Sequence, residues 1–246
     1  MTEQEWQTAT DPTPMLEFLR GKASDRKLRL FAVACCRRVW TLLEDKRHRF
    51  IVERAEQYAD GVLSLARMNK AVERAQQAGN ERRYQGSELV GDWHVVLAAE
   101  GLTIDFDAAR IADNVATARG EIASHFYFEE VAKRSQTEYE TAWREQRDSA
   151  SRNAADAEEK RSQTVLLRDI FGNPIRPVTV EPSWLTSTVT ALANGIYTEK
   201  AFDRLPILAD ALMDAGCSHD DLLNHLRSDG PHVRGCWALD LVLGKT

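Results

Sequence analysis

Residues 24–43, SDRKLRLFAVACCRRVWTLL, narrow the fold more than any other segment. At 100° per residue, Leu28, Phe31, Ala32, Cys35, Cys36, Val39, Leu42 and Leu43 share one side. Arg26, Lys27, Arg29, Arg37 and Arg38 fall on the other, interrupted by Leu30, Val33 and Ala34. The spacing predicts an α-helix with a buried face and a basic back, capped by Ser24. It places Phe31, Cys35, Val39 and Leu42 in the core and carries Arg26 and Arg37 to the surface.

The same 3.6-residue period recurs along the chain. A short helix starts at Asp11-Pro12-Thr13-Pro14 and closes at Gly21. Others are expected at 47–60, at 64–78 with Gly79-Asn80 as the stop, and from Trp93 to Gly101. From Asp105, Ile111, Val115, Ala118, Ile122 and Phe126 recur every three or four residues. Residues 133–164 are dense in charge and poor in branched apolar residues, which predicts a long solvent-exposed helix, frayed around 148–159. Gly172-Asn173-Pro174 stops the next helical run, and Pro174, Pro177 and Pro182 make 173–183 an extended connector. Short helices are expected at 185–197, 198–204, 206–215, 218–228 and 232–243, with Ser218-x-x-Asp221 resembling a capping box. No segment is strand-rich, so the fold class is all-α: an irregular helical domain with a long central hairpin. Its parts are residues 1–100, a hairpin over 101–172, and residues 173–246 packing back on the first part.

Charge is distributed unevenly. Arg20, Lys22, Arg26, Lys27, Arg29, Arg37, Arg38, Lys46, Arg47, Arg49 and Arg54 face only Asp25, Glu44, Asp45 and Glu53 within 20–54. That stretch is +7 and the remainder −13, in a chain of net charge −6. Such asymmetry points to an anionic partner or to an acidic surface of the same molecule. Arg26, Lys27, Arg29, Arg37 and Arg38 are the candidate binding residues. Phosphate contact would use them without sequence readout. The alternative is pairing of Arg37 and Arg38 with acids of the alanine-rich or C-terminal helices.

Other chemistry is sparse. Cys217, His219, His225, His232 and Cys236 are zinc-ligand types, and His232-x-x-x-Cys236 sets two of them one helical turn apart. The spacing matches no common finger or knuckle. The expectation is therefore no metal and no cofactor, with Cys217, His219, His232 and Cys236 as the alternative set. Cys35 and Cys36 lie on the apolar face and are expected to pack. No cysteine is tied to a histidine as nucleophile and base. Gly244-Lys245-Thr246 lacks the earlier glycine of a phosphate loop, Leu239 standing in its place. No apolar run approaches a membrane span, the N-terminus lacks the pattern of a secretory signal, and the cysteines form no disulfide framework. The location expected is cytoplasmic.

Two blocks carry a resemblance. TDPTPMLEFLRGKASDRKLRLFAVACCRRVW at 10–40 is one. LLRDIFGNPIRPV at 166–178, followed by FDRLPILADALMDAGCSHDDLLNHLRSDGPHVRGCWALDLVLGK at 202–245, is the other. They resemble a group of paralogous, largely uncharacterised planctomycete proteins with well-matched ends around a variable helical middle. Within them, LADALMDAGCSHDDLLNHLR is similar to the helical pair of a companion domain found beside repeat modules in those bacteria. The resemblance brings no reaction and no catalytic residue; it implies an interaction role. The function expected is a protein-interaction or adaptor module, in a signalling or defence-type assembly, with another protein as partner. The alternative is a nucleic-acid-binding accessory protein using residues 20–54, and an enzyme of unrecognised type ranks third.

Overall fold

Helices begin where side chains can satisfy the first free backbone N–H groups, and several starts here are capped in this way. The computed structural model describes residues 1–85, 92–103, 107–133 and 150–246. Among them it is all-α, with no strand. The helices are α1 (Glu3–Thr8), α2 (Pro12–Leu19), α3 (Asp25–Arg38), α4 (Lys46–Ala59), α5 (Leu65–Gln85), α6 (Asp92–Glu100), α7 (Ala108–Ala132) and α8 (Ala150–Phe171). They continue with α9 (Ser187–Glu199), α10 (Leu205–Asp214), α11 (Asp220–Arg227) and α12 (Trp237–Leu243). Thr2 and Glu5 form a reciprocal capping box on α1, Asp11 caps α2, Ser24 caps α3 and Thr186 caps α9. The start of α11 differs from expectation. Its N-cap is His219 with no side-chain bond, and the acids Asp220 and Asp221 support the first turn electrostatically instead.

Helix α3 is central rather than two-faced. It packs against α4, α6, α7 and α8, so Leu30, Val33 and Ala34 are buried along with Phe31 and Cys35. The basic residues extend past this apolar belt on long stems. Helical geometry stops at Arg38, and Trp40–Leu42 forms one 3₁₀ turn. The tighter turn shifts the angular spacing. Leu43 takes the core position and Leu42 is only partly buried.

Gly79 does not end α5. The helix runs through it to Gln85 because the glycine admits a neighbour: a Cβ there would lie 1.8 Å from Glu100 Oε1. Helices α7 and α8 lie side by side. Gln163 Nε2 donates to the Ala112 carbonyl at 2.9 Å, and Gly120 sits against Arg152 and Asp156, so the two run antiparallel. The connection between them, with half of the expected exposed stretch, lies outside the described residues. Where α8 is described, the exposed reading of 133–164 is corrected: Glu159, Gln163 and Thr164 are buried.

Two apolar cores result. The first gathers Trp6, α2 to α7 and the end of α8, including Leu166, Leu167 and Ile170. The second holds Val189, Ile196, Leu205, Leu208, Leu212, Leu222, Leu226, Leu239 and Val242 from α9 to α12. Gly172 lies between them, at φ +62°, with its carbonyl accepting the Trp6 indole N–H at 2.9 Å.

Candidate metal centre at the joint between the two cores

The five cations singled out in the sequence are engaged by their own chain. Arg26 forks onto Asp240, Nη1 to Oδ2 at 2.6 Å and Nη2 to Oδ1 at 3.1 Å, and also reaches Asp60 Oδ1 at 3.1 Å. The Tyr197 hydroxyl accepts from Arg26 and donates to Asp60. Lys27 Nζ lies 3.3 Å from Asp240 and donates to the carbonyls of Ile170 at 2.7 Å and Gly235 at 3.2 Å. Arg29 is buried and donates to the Thr103 carbonyl at 2.6 Å. Arg37 meets Glu56 at 3.1 Å and Arg38 meets Glu159 at 2.8 Å.

Arg26 is thereby withdrawn from the surface where the helical wheel places it, and Arg37 is only partly exposed. Lys200 and Arg234 add to the joint by pairing with Glu56, and Arg234 also meets Asp60 at 3.2 Å. The carboxylates of Asp60, Glu56, Glu159 and Asp240 are all nearly inaccessible. A buried carboxylate is tolerated when cations and donors surround it, and these supply both. Burial disfavours the Arg26 cation, but Asp240 outweighs it and pushes its pKa above the ordinary arginine value. In Lys27 burial prevails and holds the ammonium below the usual lysine range.

Beside this joint, four side chains converge. Asp169 comes from the last turn of α8, His225 from the last turn of α11, and His232 and Cys236 from the loop leading into α12. One atom from each lies within 4.8 Å of the other three. Asp169 Oδ1 is 2.9 Å from His232 Nδ1 and 3.2 Å from His225 Nε2. His225 Nε2 is also 3.2 Å from Cys236 Sγ. Asp169 Oδ2 accepts the Val233 N–H at 2.9 Å, which fixes the carboxylate and turns Oδ1 toward the cluster. Asp169 and Cys236 are buried, His232 nearly so, and His225 opens partly to solvent.

The hydrogen-bond roles are constrained. His232 Nε2 lies 3.1 Å from the Ser228 carbonyl, which can only accept, so Nε2 carries a proton. With Nε2 so protonated, Nδ1 donates to Asp169 in the imidazolium form and turns its lone pair to the carboxylate in the neutral form. Burial opposes ionisation of Asp169, yet hydrogen bonds from His225 and His232 hold its carboxyl below the ordinary carboxylate range. Burial also opposes a charge on His232, and the bond to Asp169 overcomes it and raises the imidazole pKa. For Cys236 burial dominates and pushes the thiol well up, while the N–H groups of Ala238 and Leu239 pull the other way.

Of the alternative metal set read from the sequence, His232 and Cys236 are in the cluster. Cys217 packs in the second core, and His219 sits at the start of α11 away from the group. Asp169 is the member that the sequence reading missed. Its signal was an acid set among Leu166, Leu167, Ile170 and Phe171, where a helix buries its apolar side.

His225 also borders an open cleft of about 480 Å³ between the 171–178 segment and the C-terminal helices. Phe171, Pro174, Val178, Trp237 and Leu241 supply apolar lining, and Lys27, Arg168, Arg176, Asp221, Asn224 and Lys245 supply charged and polar lining. No family model matches the chain, and searches of curated proteins and of solved structures return no significant relative.

Proposed function

We propose that the chain is a protein-interaction module with an adaptor role, and that the cleft beside His225 holds a segment of a partner protein. The composition of the cleft carries this reading. Apolar and aromatic side chains interleaved with charged ones are the composition of a protein interface, and Trp and Arg are the residue types that anchor one. Its volume suits a few side chains of an extended peptide. Among the described residues no helix is long and apolar enough to cross a membrane. The cytoplasmic setting and the signalling or defence-type assembly expected from the sequence belong to the same proposal.

The test is site-specific cross-linking in the source cells, with a photoreactive residue at Val178 and a control at exposed Glu199. A protein adduct of discrete mass is expected at 178 and not at 199, lost when Arg176→Glu and Leu241→Arg are introduced together. Equal capture at both positions would sink the reading. The nucleic-acid alternative has less support, because Arg26, Lys27, Arg37 and Arg38 already face buried carboxylates. Titration with labelled duplex and single strands at physiological salt distinguishes it: steeply salt-sensitive micromolar binding would favour it.

A further inference from the structure

We propose that Asp169, His225, His232 and Cys236 form a tetrahedral zinc site that staples the first core to the second. The inference goes beyond the interaction reading and does not depend on it.

The donor set argues for zinc. Sulfur and imidazole nitrogen favour zinc over magnesium or calcium, which take oxygen. Around a tetrahedral ion with ordinary zinc bond lengths, nitrogen and oxygen donors stand about 3.3 Å apart, and nitrogen and sulfur about 3.5 Å apart. The corresponding separations here are 2.9 and 3.2 Å for the two nitrogen–oxygen pairs and 3.2 Å for nitrogen–sulfur. The other three pairs lie within 4.8 Å, so modest side-chain adjustments would bring all six separations to tetrahedral values.

Charge argues the same way. With zinc bound, the Asp169 carboxylate and a Cys236 thiolate would carry two negative charges in a largely buried space, which the divalent cation would cancel. Zinc takes the sulfur as thiolate, the thiol proton passing to solvent.

The outer contacts fit a metal centre. The His232 ring is oriented by its Nε2–H to the Ser228 carbonyl, and Asp169 is held by the Val233 N–H. Such bonds set the tautomer and direction of a ligand. Four protein donors leave no open position, which is the arrangement of structural rather than catalytic zinc. The ligands come from the end of α8, the end of α11 and the loop before α12, so one ion would tie Asp169 to a segment dozens of residues further along the chain.

The test measures zinc in the intact protein, purified without a metal-binding tag and dialysed against metal-free buffer. One zinc per chain is expected. Cobalt(II) added to the metal-free protein should give the intense near-ultraviolet thiolate band and the visible bands of a tetrahedral ion. Cys236→Ser should abolish the thiolate band, and Asp169→Asn and His232→Ala should each lower zinc retention at least tenfold. Cys217→Ser, which alters a buried cysteine outside the cluster, should leave both signals intact. If the wild-type chain holds no zinc after supplementation and gives no cobalt thiolate band, the cluster is an imidazolium–carboxylate pair beside a thiol and the proposal fails. It fails equally if Cys217→Ser removes the thiolate band and Cys236→Ser does not.

Discussion

The Arg26 guanidinium forks onto the Asp240 carboxylate across the joint between the two cores. The same carboxylate takes Lys27, and its side chain is 1% exposed. One acid on α12 therefore neutralises two cations from the first turn of α3.

Removing that charge should be costly. Asp240→Asn keeps the shape but leaves Arg26 and Lys27 in a partly dry site with less counter-charge. Breaking a buried pair from one side costs about 3–5 kcal/mol. Urea denaturation should show a loss in this range, partly recovered when Arg26→Gln is added. A loss below about 1 kcal/mol, the scale of an exposed pair, would mean that water already reaches the joint.

Gly172 is held in place by geometry as well as by its backbone. At φ +62° a side chain is strained, and a Cβ would lie 2.9 Å from Trp237 Cγ. Gly172→Ala should cost about 1–3 kcal/mol from the backbone conformation alone, with the ring contact adding to it. Stability measured beside Gly21→Ala separates the two contributions. Gly21 also has positive φ but open space around its Cβ position, so its penalty should be the smaller.

The start of α4 offers a pH test. The Arg47 side chain bonds Asp45 and lowers its carboxyl pKa, while the backbone N–H of Arg47 also donates to it. A carboxyl depressed on folding adds stability that is complete above its unfolded value of about 3.9. That contribution fades as pH falls through the folded value. Asp45→Asn keeps a capping side chain, so the comparison reports on the charge. The variant should be less stable by about 0.5–1 kcal/mol at pH 7. The two proteins should converge in acid, as read from thermal melts at a series of pH values.

Cys35 and Cys36 should be inert in the native protein. Both are buried, and burial raises the Cys35 thiol well above its ordinary value and the Cys36 thiol to about 12. The thiolate is the reactive form. Alkylation followed by peptide mapping should leave both unmodified until denaturant is added. Modification on the timescale of an exposed thiol would show that α3 opens.

Much of the helical framework was legible in the sequence, because period, caps and glycines are local signals. Ser24 and the apolar spacing of 28–39 place α3, and Gly172-Asn173-Pro174 ends α8 where expected. What was not legible depends on distant partners. A helical wheel gives Arg26 a direction away from one apolar face but cannot show Asp60 and Asp240 waiting on other helices. Glu159 looked like surface charge because its neighbours are polar, whereas Arg38 brings it inside. Gly79 looked like a stop because its close neighbour, Glu100, lies on another helix. His225, His232 and Cys236 were visible as residue types. Their convergence was not, because Asp169 is 63 residues from His232.

The span between Arg26 and Asp240 also has a meaning in time. The two residues are 214 positions apart, so a ribosome adding about 5–20 residues per second needs roughly 10–40 seconds to deliver the acid after the cation. Through that interval Arg26 and Lys27 lack the carboxylate that the finished molecule gives them. Synthesis of α12 completes the charge pairing of Arg26 that Asp60, 34 positions after it, begins.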